Sequence, residues 1–321
     1  MAIRLTRALA AALVLASSLA HAAYPDKPVR LIVPWAPGGS TDAIARAIAQ
    51  RMSESLGQSV IVDNRSGAAG QIGTDAAAKA APDGYTIAIV EMPHAIQPAV
   101  VAKLPYDLLR DFTPVTLVGT SPLVLFASPS EHKGGDAKAF LERARTSPAP
   151  LAIANSGPGS SSHLAGEVLA SKGGFRINAV PYRGSAPALT DVAAGLVSGH
   201  FATLASGSSL HGAGKLSVVM VTGPARLPAL PNVPTAQESG IAGMDFMQWW
   251  AVVAPANTSA EIVERLRVEV GSALAHPGTR DRLKTLGIDL KGSTGEELGA
   301  FMRSEVQRWG AIARQAGLRP E

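Results

Sequence analysis

Short apolar runs alternate along the chain with longer segments whose apolar positions recur every three or four residues, the rhythm of strands and amphipathic helices. The stretch 29–33 reads as a first strand. The stretch 40–56 reads as a helix with Ala43, Ile44, Ala47, Ile48 and Met52 on one face, closed by Gly57. Strands are predicted at 60–62 and 85–90, with a helix between them that runs to about Ala81. The same grammar continues. Strands are predicted at 122–128, 151–154, 177–180, 201–204, 216–221 and 249–254, and helices at 136–145, 161–171 and 186–194. Helices at 259–275, 278–286 and 295–315 complete the chain. Strand and helix in alternation predict an α/β fold with largely parallel sheets.

Three places share one local form: a strand ends, glycines turn the backbone, and a helix begins. They are Pro37-Gly38-Gly39-Ser40-Thr41-Asp42, Ser66-Gly67-Ala68-Ala69-Gly70 and Ser156-Gly157-Pro158-Gly159-Ser160. Helix starts expose backbone N–H groups and the positive end of the helix dipole, which suits an anion, and glycine lets a ligand approach the main chain. Ser40 or Thr41 alternatively serves as an N-cap and Asp42 as a first-turn acid. His163, just after the third loop, either faces a ligand or bonds the loop itself.

Composition narrows the classes. The chain has 321 residues, 46% hydrophobic and 17% charged, enough for about two globular domains. The first 22 residues read as a secretory signal: Arg4 and Arg7, an apolar run 9–19 too short to span a bilayer, then Ala20-His21-Ala22. Cleavage is expected after about Ala22. That lowers the formal charge from +4 to +2, since two Arg and no acid leave. The remaining basic residues are scattered, which argues against nucleic acid. With no cysteine there are no disulfides and no thiolate chemistry. No G-x-S-x-G elbow, P-loop lysine motif or H-E-x-x-H occurs, so neither a metal nor another cofactor is expected. Ser160 with His163 is the one nucleophile–base pairing the sequence offers, and no orienting acid accompanies it.

The loops carry a resemblance. Tyr24-Pro25-Asp26-Lys27-Pro28-Val29-Arg30, Pro34-Trp35-Ala36-Pro37-Gly38-Gly39-Ser40-Thr41-Asp42 and Asn64-Arg65-Ser66-Gly67-Ala68-Ala69-Gly70 match in order. Pro82-Asp83-Gly84-Tyr85-Thr86, Ser156-Gly157-Pro158-Gly159-Ser160, Val180-Pro181-Tyr182-Arg183-Gly184 and Ala254-Pro255-Ala256 continue the match. Together they resemble the Bug family, the substrate-binding components of tripartite tricarboxylate transporters. The resemblance implies a two-lobe periplasmic-binding-protein fold of type II-like build, with lobes joined by two crossing strands. Residues 23–121 and 248–321 would form the first lobe and 122–247 the second. It also implies an exported, periplasmic receptor with membrane permease subunits as partners, not itself embedded in the membrane; a monomer is the simplest expectation. A receptor for a sensor kinase would use the same cleft.

The implied ligand is a small carboxylate. Its site carries over onto Trp35, Ala36, Gly38, Gly39, Ser40, Gly67 and Ala68 in the first lobe, with Asp42 beside them. In the second lobe it carries onto Ser156, Gly157, Ser160, His163, Gly184 and Ser185. The sequence departs from the family at Glu91 and Met92, where small or amide residues are usual. Glu91 is either a solvated rim acid or a cleft group that repels a second carboxylate and accepts from a hydroxyl, amine or amide. At Ala202 an acid that would bind an amine is absent, and His200 is expected to face solvent.

Overall fold

The computed structural model describes residues 24–130, 132, 134–318 and 320. The leader read at 1–22 lies outside the described residues. In the first half β1 (Val29–Val33) is central, with β2 (Val60–Asn64) and β3 (Thr86–Glu91) parallel to it on either side. The connections are α1 (Ser40–Leu56) and α2 (Gln71–Ala78); α3 (Met92–Val100) follows β3. β1 is buried at four of its five positions because helices cover both faces of the sheet.

The second half repeats the plan. β5 (Leu151–Asn155) lies between β6 (Ile177–Pro181) and β7 (Gly199–Thr203), all parallel. Around them run α4 (Ala137–Thr146), α5 (Ser161–Gly173), α6 (Ser185–Ala193) and α7 (Leu204–Gly212). The halves meet through β4 (Phe112–Ala127) and β9 (Met247–Pro255). β4 pairs antiparallel with β9 from Phe112↔Pro255 to Pro122↔Met247. From Leu123 onward it pairs instead with β7 and with β8 (Ser217–Val221). The strand order is β2-β1-β3-β9-β4-β7-β5-β6, so each lobe's sheet is mixed: parallel outside, antiparallel where the shared strands enter. The chain ends in α8 (Ala260–Ala275), α9 (Pro277–Thr285), the short β10 (Asp289–Leu290) and α10 (Gly295–Gln315), which pack back on the first half.

Three elements differ from the sequence reading. The strand read at 122–128 begins ten residues earlier, at Phe112. Pro114, Gly119 and two register shifts break its alternation, so no strand period marks residues 113–121. α3 was hidden by Pro93 and Pro98. Pro93 lies in the first turn, where its missing N–H costs nothing. α7 reads Leu204-Ala205-Ser206-Gly207-Ser208-Ser209, with almost no apolar stripe, and only Leu204 and Gly207 are buried.

His200 is a correction. It does not face solvent: it is fully buried in β7, between β4 and β5, and its Nδ1 lies 2.9 Å from the Ala154 carbonyl. Burial lowers its pKa to about 4, against a weaker opposing pull from that carbonyl, so the ring is neutral.

Candidate functional site

Among the described residues, five helices begin at one cavity between the lobes. Their N-cap residues, Gly39 (α1), Glu91 (α3), Ser160 (α5), Gly184 (α6) and Thr203 (α7), all line it. The space at this wall amounts to about 500 Å³ when the solvent at its open mouth is counted. α1, α6 and α7 have no side-chain cap from their own N-cap residues, so first-turn N–H groups are left without an intrahelical partner, the Ser40 N–H excepted, which donates to Ser206 Oγ. Every one of these helices brings its positive end to the wall. No Lys, Arg or His lines the cavity among the described residues, and Glu91 is its single ionisable side chain. A small anion is the ligand this potential suits.

The structure brings ten of the sequence-derived residues to this wall: Trp35, Ala36, Gly39, Ser40, Glu91, Ser156, Ser160, Gly184, Ser185 and Ala202. Gly67, Ala68 and Gly157 line an adjoining, more open groove that shares Trp35 and Ser156 with the cavity. Gly38, Asp42, Met92 and His163 line neither. Met92 is fully buried in the apolar core. Asp42 organises the loop. Its Oδ2 accepts from the Gly38 N–H (3.1 Å) and Arg46 Nε (2.9 Å), and its Oδ1 from Asn64 Nδ2 (3.0 Å). Burial pushes this carboxyl up, but the bonds from Arg46, Gly38 and Asn64 outweigh it and hold it below the usual range. The cap expected at Ser40 or Thr41 is Gly39 instead, which offers no side-chain acceptor.

The Ser156–Ser160 loop does not act through its amides. Ser156 N–H donates to Ser162 Oγ (2.9 Å), Gly157 N–H to Asn155 Oδ1 (2.9 Å) and Ser160 N–H to the Gly157 carbonyl (3.1 Å). Gly159 N–H lies 3.4 Å from His163 Nδ1, so His163 serves the loop. What this loop presents to the cavity is hydroxyls. Glycines of this half serve close approach: at Gly157 of the loop a Cβ would stand 3.3 Å from the Ala69 Cβ of the other lobe, and at Gly184, which caps α6, 3.7 Å from that of Ala36. The Ser40 N–H donates to Ser206 Oγ across the gap (3.3 Å), so the lobes touch there.

Glu91 settles one alternative: it is 3% exposed and on the cavity wall, so it is no rim acid. Its Oε2 accepts from Thr41 Oγ1 (2.9 Å) and from Gln248 Nε2 (2.6 Å). Trp250 Nε1 donates to Thr41 Oγ1 (3.1 Å); an indole N–H can only donate, so the threonine proton points at Glu91. Burial pushes the carboxyl up to about 8, with Thr41 and Gln248 pulling it back. Thr41, Ser206 and Gln248 were not among the residues singled out from the sequence. Gln248 carried a signal, a polar residue inside the apolar run 247–255; Thr41 and Ser206 carried none beyond helix-start chemistry.

Comparison with known proteins agrees with this geometry. The model of the tripartite tricarboxylate transporter family receptor matches residues 44–318. The solved periplasmic binding protein BugD is 32% identical with a TM-score of 0.89, over 93% of this chain and 100% of that one. The Rhodopseudomonas palustris protein Rpa4515, solved with adipate, is 35% identical at 0.89, over 93% and 100%. MatC from the same organism, solved with malate, is 30% identical at 0.85, over 90% and 99%. With the matching model spanning most of its length, this chain belongs to the tripartite tricarboxylate transporter receptor family.

Proposed function

We propose that this protein captures a small organic acid between its lobes in the periplasm and delivers it to membrane permease subunits. The observation that carries the reading is the convergence, among the described residues, of five helix starts, three without side-chain caps, on an interlobe cavity lined by no cationic side chain. Such a wall binds a carboxylate through N–H and O–H donors rather than an Arg clamp. The adipate and malate held by two related structures support the same ligand class.

The lobes divide between Ser121 and Pro122 and between Met247 and Gln248, where the shared strands pass from one half to the other. Residues 1–22 direct export and are removed. One chain builds the whole cavity, so a monomer suffices. Binding proceeds without turnover. Ser160 Oγ caps its helix, accepting from the backbone N–H of His163 (3.2 Å), and lies 3.1 Å from Ser162 Oγ, a capping role that supports binding over catalysis at this residue.

The test is isothermal titration of the mature protein with mono-, di- and tricarboxylates and with neutral amides of matched size. One acid or more should bind with micromolar or better affinity, about 8 kcal/mol or more, and neutral amides should not. Absence of binding by every acid, or equal binding of acid and neutral amide, contradicts the reading.

A further inference from the structure

The cavity wall is not uniformly a donor surface. Two of its polar groups are buried without any hydrogen-bond partner: Trp35 Nε1, a donor, and Gln248 Oε1, an acceptor. Both residues are at least nine-tenths buried. An orphaned buried polar atom costs about 1–3 kcal/mol, so such atoms mark where a ligand or ordered water completes the bonding. The Gln248 amide is oriented by its neighbour. Its Nε2 points at Glu91 Oε2, which turns its Oε1 away as an acceptor still in want of a proton. Thr41 and Gln248 occupy two of the roughly four acceptor positions of the Glu91 carboxylate. With Glu91 ionised, it and Gln248 therefore form one corner of the cavity, beside the crossing strands, made of acceptors. The uncapped starts of α1, α6 and α7 form the donor side.

We propose that the Glu91–Gln248 corner selects for a proton: the preferred ligand carries a hydroxyl or amide N–H in addition to its carboxylate, and a dicarboxylate binds only while one proton is held between its second carboxylate and Glu91. This rests on the carboxylate reading of the same cavity and adds which acids it takes. A second carboxylate placed there as a dianion would face a buried carboxylate and an orphan carbonyl oxygen with no proton between them. Two carboxylates in contact, out of water, cannot both stay ionised. A hydroxyl or an amide N–H brings its own proton and satisfies Gln248 Oε1 or Glu91.

Glu91 is the group positioned to hold that proton. The charged and titratable neighbours on the packed elements do not compete. On α1, Asp42 is held by Arg46 and Asn64, off the cavity wall. On α3, burial lowers His94 to about 4, so it stays neutral; its Nδ1 bonds the Glu91 main chain (3.0 Å) and its Nε2 lies 2.8 Å from Thr74 Oγ1. On β9, Gln248 and Trp250 carry no charge. Burial with no cationic partner pushes the Glu91 carboxyl up to about 8, within reach of a protonation change under physiological conditions.

The test compares matched acids by isothermal titration between pH 6 and 9: 4-hydroxybutyrate and succinamate against succinate, 6-hydroxyhexanoate against adipate, 4-hydroxybenzoate against terephthalate. In the wild type, the dicarboxylate of the best-binding pair should lose affinity by approaching ~10-fold per pH unit above about pH 8, the signature of one proton taken up. Its hydroxy or amide partner should hold its affinity over the same range. Glu91→Gln should flatten the dicarboxylate profile. A dicarboxylate profile flat in the wild type, an equal slope for the hydroxy acid, or a slope that survives Glu91→Gln overturns the proposal while leaving carboxylate binding intact. Failure of every acid at every pH overturns the carboxylate reading and this proposal with it.

Discussion

At the scale of single residues, the site is built from what small side chains leave open. Gly39 has an ordinary φ of −82°, and a Cβ placed there would meet nothing within 4 Å. Its side-chain direction is free space at the cavity wall, so glycine here keeps the cavity empty rather than relieving strain. Gly39→Leu should therefore fold normally, with a melting temperature within a few degrees of wild type, and weaken acid binding at least 100-fold. Calorimetry and thermal melts on the same sample check both; retained affinity, or a collapsed melting temperature, counts against this placement. These glycines were legible in the sequence because adjacent glycines after a strand are unusual. Asp42 and His163 were legible as polar residues at helix starts, but chain order does not tell whether such a residue faces a ligand or ties its own loop. Glu91 was legible as a departure from the family pattern, and its burial was not. That burial depends on Trp250 and Gln248, more than 150 residues away, closing over it.

At the scale of elements, helix periodicity carried furthest where an apolar stripe is continuous. The helices at Ser40–Leu56 and Gly295–Gln315 fall where the pattern put them. Their faces bury Ile44, Ile48 and Met52 in one case and Leu298, Met302 and Trp309 in the other. Legibility failed where tertiary context replaces periodicity. α3 is held by Pro93 at its first turn and by His94, whose ring reaches back to the Glu91 main chain. α7 is rich in Ser and Gly and is almost without an apolar face. Both escaped the sequence pattern, and both start at the ligand cavity. The coincidence has a physical cause. A helix that aims its N-terminus at a polar cavity, and packs only lightly, needs no strong stripe. The expected gripping amides of the Ser156–Ser160 loop failed for a related reason. Short side chains and a turning backbone satisfy one another locally, leaving hydroxyls rather than amides for the ligand.

At the scale of the whole molecule, β4 and β9 join the two lobes, and the buried ionisable groups set the pH response. Glu91 binds its proton more tightly folded, at about 8, than unfolded, so stability is lost as pH rises from about 4.5 to 8. The full loss is about 4–5 kcal/mol on that shift. His94 and His200, lowered to about 4, act the other way: each loses stability as pH falls from 6.5 to 4, by about 3 kcal/mol. Two histidines outweigh one carboxyl below pH 6.5, and the carboxyl acts alone above it. Stability of the empty protein should peak near pH 6.5 and fall toward pH 8, and Glu91→Gln should remove the alkaline fall. Thermal melts across pH 5–9 at fixed ionic strength measure this; a wild-type melting temperature that rises from 6.5 to 8 contradicts it. The account as a whole stands on how the carboxylate is held. A crystal structure with the tightest-binding acid tests that most directly. The carboxylate oxygens should lie ~2.7–3.2 Å from first-turn N–H groups of α1, α6 or α7, with no Lys or Arg side chain touching them. A carboxylate paired with a Lys or Arg, or seated outside this cavity, would contradict it.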